Sequence, residues 1–111
     1  MNSKNNVLIT GATGLIGSFL VMLFLERGHK VYALARRVDN LSAVKRVDRA
    51  ISFWKQNFDF QSHRKQLVVI EGDLSAVWRI KDFIKKVDSS LEIIHCAAIT
   101  SLGSSQRYTE K

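Results

Sequence analysis

The octapeptide Thr10-Gly11-Ala12-Thr13-Gly14-Leu15-Ile16-Gly17 spaces three glycines as G-x-x-G-x-x-G. An apolar run, Val7-Leu8-Ile9-Thr10, precedes it, and a long apolar stretch starting at Leu15 follows. The run reads as a buried strand and the stretch as a helix, with the glycines forming the turn between them. Gly11 permits a tight exit from the strand, and Gly14 removes a Cβ where a diphosphate must approach the backbone. Gly17 lets the helix pack closely. The unpaired N–H groups of the helix's first turn, including those of Leu15 and Ile16, favour an anion, and the Thr13 hydroxyl lies in the same turn. No Gly-Lys-Ser/Thr follows, so the turn is not a P-loop.

The same alternation continues along the chain. The first helix is predicted over Leu15 to Arg27, ended by Gly28 in a left-handed cap. Its apolar residues cover nearly the whole circumference, which predicts deep packing. Lys30 to Ala35 is a second strand. Asn40 is the expected cap of a second helix whose apolar face is Leu41, Val44, Val47, Ala50, Ile51, Trp54 and Phe58. Leu67 to Ile70 is a third strand. Ser75 is expected to cap a third helix, with Val77, Ile80, Phe83, Ile84 and Val87 on one face. Leu91 to Cys96 is a fourth strand, and the tail from Ile99 is polar and Ser-rich. The order βαβαβαβ predicts an α/β fold. It is the first half of a doubly wound parallel sheet, a partial Rossmann fold, with one further strand and spatial order 3-2-1-4. A ligand then binds outside the C-terminal strand ends, where the strand order reverses.

The end of the second strand bears on which dinucleotide the turn would hold. A site for NAD(H) carries an acid there, on the adenosine ribose hydroxyls. This chain has Ala35, then Arg36 and Arg37. An acid repels a 2′-phosphate and a guanidinium holds one, so NADP(H) is favoured and NAD(H) is the alternative. Arg36 is the expected contact and Arg37 a helper or a bystander.

Composition narrows the remaining classes. The chain has 111 residues, 46% of them apolar, with one Cys and no Pro. A disulfide framework, a Pro-rich linker and a disordered chain are excluded. No targeting segment is visible, and the apolar stretch Phe19 to Leu25 is too short to span a bilayer, which predicts a soluble cytoplasmic protein. Net charge is +7, and Arg36 to Lys65 hold eight basic residues against three acids. That field suits a phosphate-bearing partner, but no RNA- or DNA-binding motif accompanies it, and nucleic acid is not expected. His29, His63 and His95 are far apart, which argues against a metal site. His95 reads as a packed strand residue, Cys96 as an inert small hydrophobe, and Trp54 and Trp78 as packing or edge residues.

Four segments, TGATGLIGS, VYALARR, VIEGDLS and IIHCAA, stand in an order and spacing that resemble the N-terminal half of extended short-chain dehydrogenases/reductases. The likeness is greatest to the branch of thioester reductases and fatty acyl-CoA reductases. It implies that Gly11, Gly14 and Gly17, with the amides of Leu15 and Ile16, hold a pyrophosphate, and that Arg36 holds a 2′-phosphate. By the same resemblance Asp73 accepts from the adenine amino group, Leu74 packs near the ring, and Ala97 and Ala98 let the nicotinamide side pass close to the backbone. Each also has a structural reading: Asp73 as an Asx-turn or helix cap with Ser75, and the two alanines as core filler.

The family's Tyr-x-x-x-Lys pair is not found. Tyr108-Thr109-Glu110-Lys111 has the wrong spacing and lies too early, and Ser101, Ser104 and Ser105 lack a His base in a recognisable arrangement. The expectation is therefore the cofactor half of an enzyme that reduces an acyl thioester, without its catalytic half and substrate domain. A sheet ending at its fourth strand would expose that strand's flank to self-association. Two alternatives remain: an NAD-dependent nucleotide-sugar epimerase or dehydratase, and a non-catalytic dinucleotide-binding protein.

Overall fold

The computed structural model describes residues 6–54, 56, 59–73, 75, 77–87 and 91–96. Its elements are β1 (Asn6–Thr10), α1 (Leu15–Glu26), β2 (Lys30–Ala35), α2 (Ala43–Ser52), a 3-10 turn (Gln61–Gln66), β3 (Leu67–Glu71), α3 (Val77–Val87) and β4 (Leu91–His95). The four strands form one parallel sheet in the order β3-β2-β1-β4, as the alternation predicted. The reversal falls between β1 and β4, and the Gly-rich turn leaves the sheet at that point.

β1 is buried along its whole length because both faces of the sheet are covered. Strand alternation sorts the side chains. Val7 and Ile9 of β1 and Val31 and Ala33 of β2 join Val21 and Leu25 of α1 and Val47 and Ile51 of α2 in one core. Leu8 and Leu34 point the other way and meet Val77 of α3. Leu8, Ile9, Leu25 and Ile51 are fully buried, and each contributes about 2 kcal/mol through the hydrophobic effect.

α1 ends as its sequence predicts. Gly28 takes φ 89°, its N–H reaches the Leu25 carbonyl, and the His29 N–H reaches that of Phe24, which satisfies the last carbonyls of the helix. The expected all-round packing of α1 does not hold. Gly17, Ser18, Val21, Met22 and Leu25 are buried, but Leu15, Ile16 and Phe19 are exposed. Leu15 borders a groove shared with Arg46, Arg49 and Ala50 of α2, and Phe19 lies edge-on to Trp54 just past that helix.

The start of α2 also differs from expectation. Val38 and Leu41 exchange both backbone hydrogen bonds, at 3.0 and 2.9 Å, around Asp39, whose φ is 55°. Asn40 belongs to that turn and is not the cap. Ser42 is the N-cap, and its hydroxyl accepts from the Lys45 N–H at 3.3 Å. The helix buries Ala43, Val47 and Ile51, leaves Val44 exposed, and stops at Ser52; Phe58 lies outside the described residues. No helix among them is long and apolar enough to cross a membrane.

Candidate functional site

The site grows from the exit of β1. Gly11 adopts φ +68°, and a Cβ on it would lie 2.0 Å from the Cys96 carbonyl oxygen at the end of β4. Only glycine lets the turn pass this close to the neighbouring strand. A Cβ on Gly17 would lie 2.0 Å from the Gly11 carbonyl, so α1 packs on the turn itself. The middle glycine is different. A Cβ on Gly14 would meet only the Gly11 carbonyl, at 3.6 Å, and the residue has ordinary extended φ and ψ as the N-cap of α1. No atom of the described residues requires glycine at Gly14. Its missing Cβ leaves the backbone open to approach from outside.

The turn is closed by the Gly14 N–H donating to the Gly11 carbonyl at 3.1 Å, and the Ser18 N–H bonds the Gly14 carbonyl. The N–H groups of Leu15, Ile16 and Gly17 open the helix without partners inside it. Ser18, buried behind the turn, donates to the Leu15 carbonyl and accepts from Trp54 Nε1 at 3.0 Å. Trp54 is thus a packing residue, with Phe19 and Phe53 edge-on to its ring.

The second group lies at the end of β2. Arg36 and Arg37 are both exposed. Arg37 Nε reaches Glu71 Oε2 at 3.4 Å, and the other Glu71 oxygen accepts from the Ala43 N–H at 3.0 Å, at the start of α2. That N–H, aided by Arg37, holds the Glu71 carboxyl below its ordinary range. Arg37 is therefore engaged with the end of β3.

Asp73 follows β3. Its Oδ1 accepts from both the hydroxyl and the N–H of Ser75, the Asx-turn that the sequence left open. Those bonds, with a smaller contribution from the nearby Arg36 charge, keep its carboxyl ionised below the usual range. Leu74, Ala97 and Ala98 lie outside the described residues.

A third group was not foreseen. Arg46, on α2, donates from Nη2 to Thr13 Oγ1 at 3.1 Å and from Nη1 to the Arg36 carbonyl at 2.6 Å. One guanidinium joins the Gly-rich turn to the end of β2. It borders a groove of about 410 Å³ lined also by Thr13, Gly14, Leu15, Arg49 and Phe53. The sequence signal was present, in that Arg46 belongs to the basic stretch, but spacing alone does not show which of those cations turns back to the glycines.

His95 is exposed and not packed as predicted. Its Nδ1 lies 3.2 Å from the hydroxyl of buried Thr10, its register partner on β1. Cys96 is a free thiol that burial pushes above its ordinary pKa, in keeping with an unreactive side chain. No cluster able to hold a metal ion occurs among the described residues.

Known proteins are similar to this chain in sequence and fold. The pea (Pisum sativum) isoflavone reductase is 31% identical over 99 residues, which are 88% of this chain and 30% of that one. Among solved structures, a thiolation-reductase di-domain from an archaeal non-ribosomal peptide synthetase is 26% identical with a TM-score of 0.63, covering 89% of this chain and 21% of that one. The fold also matches AtPrR2 with NADP+ and (+)pinoresinol at a TM-score of 0.53 and 22% identity, over 89% of this chain and 28% of that one. The chain thus spans less than a third of the length of each of these three. The family described as NAD dependent epimerase/dehydratase matches residues 7–111, from the second residue of β1 onward. A glycine turn at the reversal of a 3-2-1-4 sheet, and a match over nearly the whole chain, place this protein in the NAD dependent epimerase/dehydratase family of NAD(P)-dependent reductases and epimerases.

Proposed function

We propose that this chain forms the adenosine and diphosphate half of an NADP(H) site in an oxidoreductase that reduces an acyl thioester, carrier-bound or fatty acyl, to an aldehyde or alcohol. The observation that carries the cofactor reading is the open backbone at Gly14, flanked by Thr13 and the α1 amides and faced by the basic end of β2. A diphosphate seated there would be held by the N–H groups of Leu15, Ile16 and Gly17, at the positive end of the α1 dipole. Arg36 would face the adenosine ribose and Asp73 the adenine, with Leu74 beside the ring. Ala97 and Ala98 would line the path toward the nicotinamide. When bound, the reduced nicotinamide supplies a hydride to the carbonyl carbon. The described residues would bind and orient the adenosine half. The thioester as substrate is supported by the four-segment resemblance and by the 26% identity to the thiolation-reductase di-domain.

A second reading, an NAD-dependent epimerase or dehydratase, is favoured by the family's own description. Calorimetric titration with NADPH and NADH separates the two. The first reading predicts NADPH affinity at least about tenfold above NADH affinity, as one charge-assisted phosphate contact supplies. Equal affinities support the second reading, and binding of neither removes both. For the substrate class, NADPH consumption with an acyl-CoA, but not with a nucleotide sugar, is the expected outcome in a protein that joins this chain to a catalytic half.

A further inference from the structure

The stretch Arg46-Val47-Asp48-Arg49-Ala50-Ile51-Ser52-Phe53 puts two stripes on α2 and its C-cap. Val47 and Ile51 face the core. Arg46, Arg49, Ala50 and Phe53, spaced i, i+3, i+4 and i+7, form a second stripe that borders the groove beside α1, to which α1 contributes Leu15. The groove runs from the Thr13–Arg46 hydrogen bond at one end to the Ser18–Trp54 bond at the other. Its first end belongs to the Gly-rich turn. The second end is apolar and open: Phe53 is 71% exposed and Leu15 65%. Phe19 and Phe53 both meet Trp54 edge-on, so the apolar surface continues along α1. Single exposed apolar side chains are ordinary, but several lining one groove mark an interaction surface.

We propose that this second end docks an acidic amphipathic helix of a partner protein. An apolar side chain of the partner enters over Ala50, between Leu15 and Phe53, and a carboxylate one turn away meets Arg49. The proposal goes beyond the dinucleotide reading and does not depend on it.

Charge selects the occupant. Arg49 is exposed and has no carboxylate at ion-pair distance among the described residues, while its neighbour Asp48 is engaged by Arg64. Arg46, one turn back, adds a second positive charge to the groove. A guanidinium matches a carboxylate with two parallel N–H bonds. A second copy of the chain has net charge +7 and would bring like charge to the same surface. A flat bilayer would meet the rims of a groove between two helices, whereas the side-chain ridge of a third helix fills it. From Arg46 to Phe53 the stripe rises about 10 Å, so two turns of a partner helix suffice.

The test uses fluorescence anisotropy with three labelled helical peptides of about 14 residues, or four turns. The first has Leu along one face and Glu beside it, the second Lys in place of Glu, and the third Ala in place of Leu. They are titrated with the 111-residue chain and with its Arg49→Glu, Phe53→Ala and Arg79→Glu variants, with a thermal melt of each. Arg79 is an exposed arginine on α3 and controls for net charge. The Glu–Leu peptide should bind at least about tenfold more tightly than the other two. Arg49→Glu and Phe53→Ala should each weaken it by about tenfold, and Arg79→Glu by less than about twofold. Saturating NADPH should leave its affinity within about twofold.

Equal binding of the three peptides, or equal losses in Arg49→Glu and Arg79→Glu, would overturn the proposal. So would displacement of the peptide by NADPH, which would put it on the diphosphate turn. No peptide binding, with Phe53-dependent binding to phosphatidylcholine–phosphatidylserine vesicles, would overturn it in favour of a membrane surface. Phe53-dependent dimerisation in sedimentation would do so in favour of a second copy. If Phe53→Ala melts early, Arg49→Glu and the peptide series decide. Failure to bind NADPH would end the dinucleotide reading and leave the peptide comparison intact.

Discussion

Two turns leave the sheet side by side, one after β1 and one after β2, and each leads into a helix. The first is built by exclusion. Gly11 and Gly17 stand where a Cβ would overlap a carbonyl oxygen, and no other residue type fits. The second is built by attraction. The Val38–Leu41 turn sets where α2 begins, and Glu71, Ser42 and Arg46 then tie that helix to β3, to its own first turn and to the glycines. Steric exclusion leaves a mark in the sequence, because it admits one residue. Polar ties leave a weaker one, because many side chains can make them.

The contrast predicts the largest effect at Gly11. Gly11→Ala combines a left-handed φ with a 2.0 Å overlap and should destabilise the chain by about 3 kcal/mol or more, read by urea denaturation. A loss below about 1 kcal/mol would show that the turn yields, and the contrast would fail. Gly14→Ala sharpens it from the other side. Its Cβ has room, so stability should change by less than about 1 kcal/mol while dinucleotide affinity falls. Unchanged NADPH binding in that variant would break the diphosphate assignment.

Ser18→Ala comes next. It removes the acceptor of the Trp54 indole N–H and should cost about 1–2 kcal/mol, measured on the same denaturation curves. Loss of the tie between α1 and α2 should also lower NADPH affinity modestly, by loosening Arg46 against Thr13.

A smaller effect belongs to Glu71 and depends on pH. The Ala43 N–H, aided by Arg37, lowers its folded-state pKa. Its contribution is therefore complete above the unfolded value of about 4.3 and is lost as pH falls through the lower folded value. Glu71→Gln should be less stable than the original chain at neutral pH, and the two should converge in acid. A difference that stays constant from neutral to acid pH would show that charge is not the cause. Arg37→Ala should shift the melt least of all, since its 3.4 Å pair with Glu71 is half exposed on both sides.

The match between expectation and structure follows the same division. The strands were legible because apolar runs bounded by turns can be buried in few ways, and parallel crossovers admit few strand orders. The end of α1 was legible in Gly28. The start of α2 was not: Asn40 and Ser42 are both good caps, and the turn around Asp39 chose between them. The exposure of Leu15 and Ile16 was hidden because apolar periodicity does not show which apolar positions a neighbouring element covers.

What the sequence determined by itself is the doubly wound sheet in the order 3-2-1-4 and the place of the glycine turn at its reversal. Both follow from local rules: chain reversal, strand burial and the steric demand for a missing Cβ. Only the tertiary structure decided how the charges are shared. It gave Arg37 to Glu71 and turned Arg46 back to Thr13 and to the Arg36 carbonyl. A long cationic side chain reaches several ångströms in many directions, and its partner is set by the packing of helices that are distant in sequence.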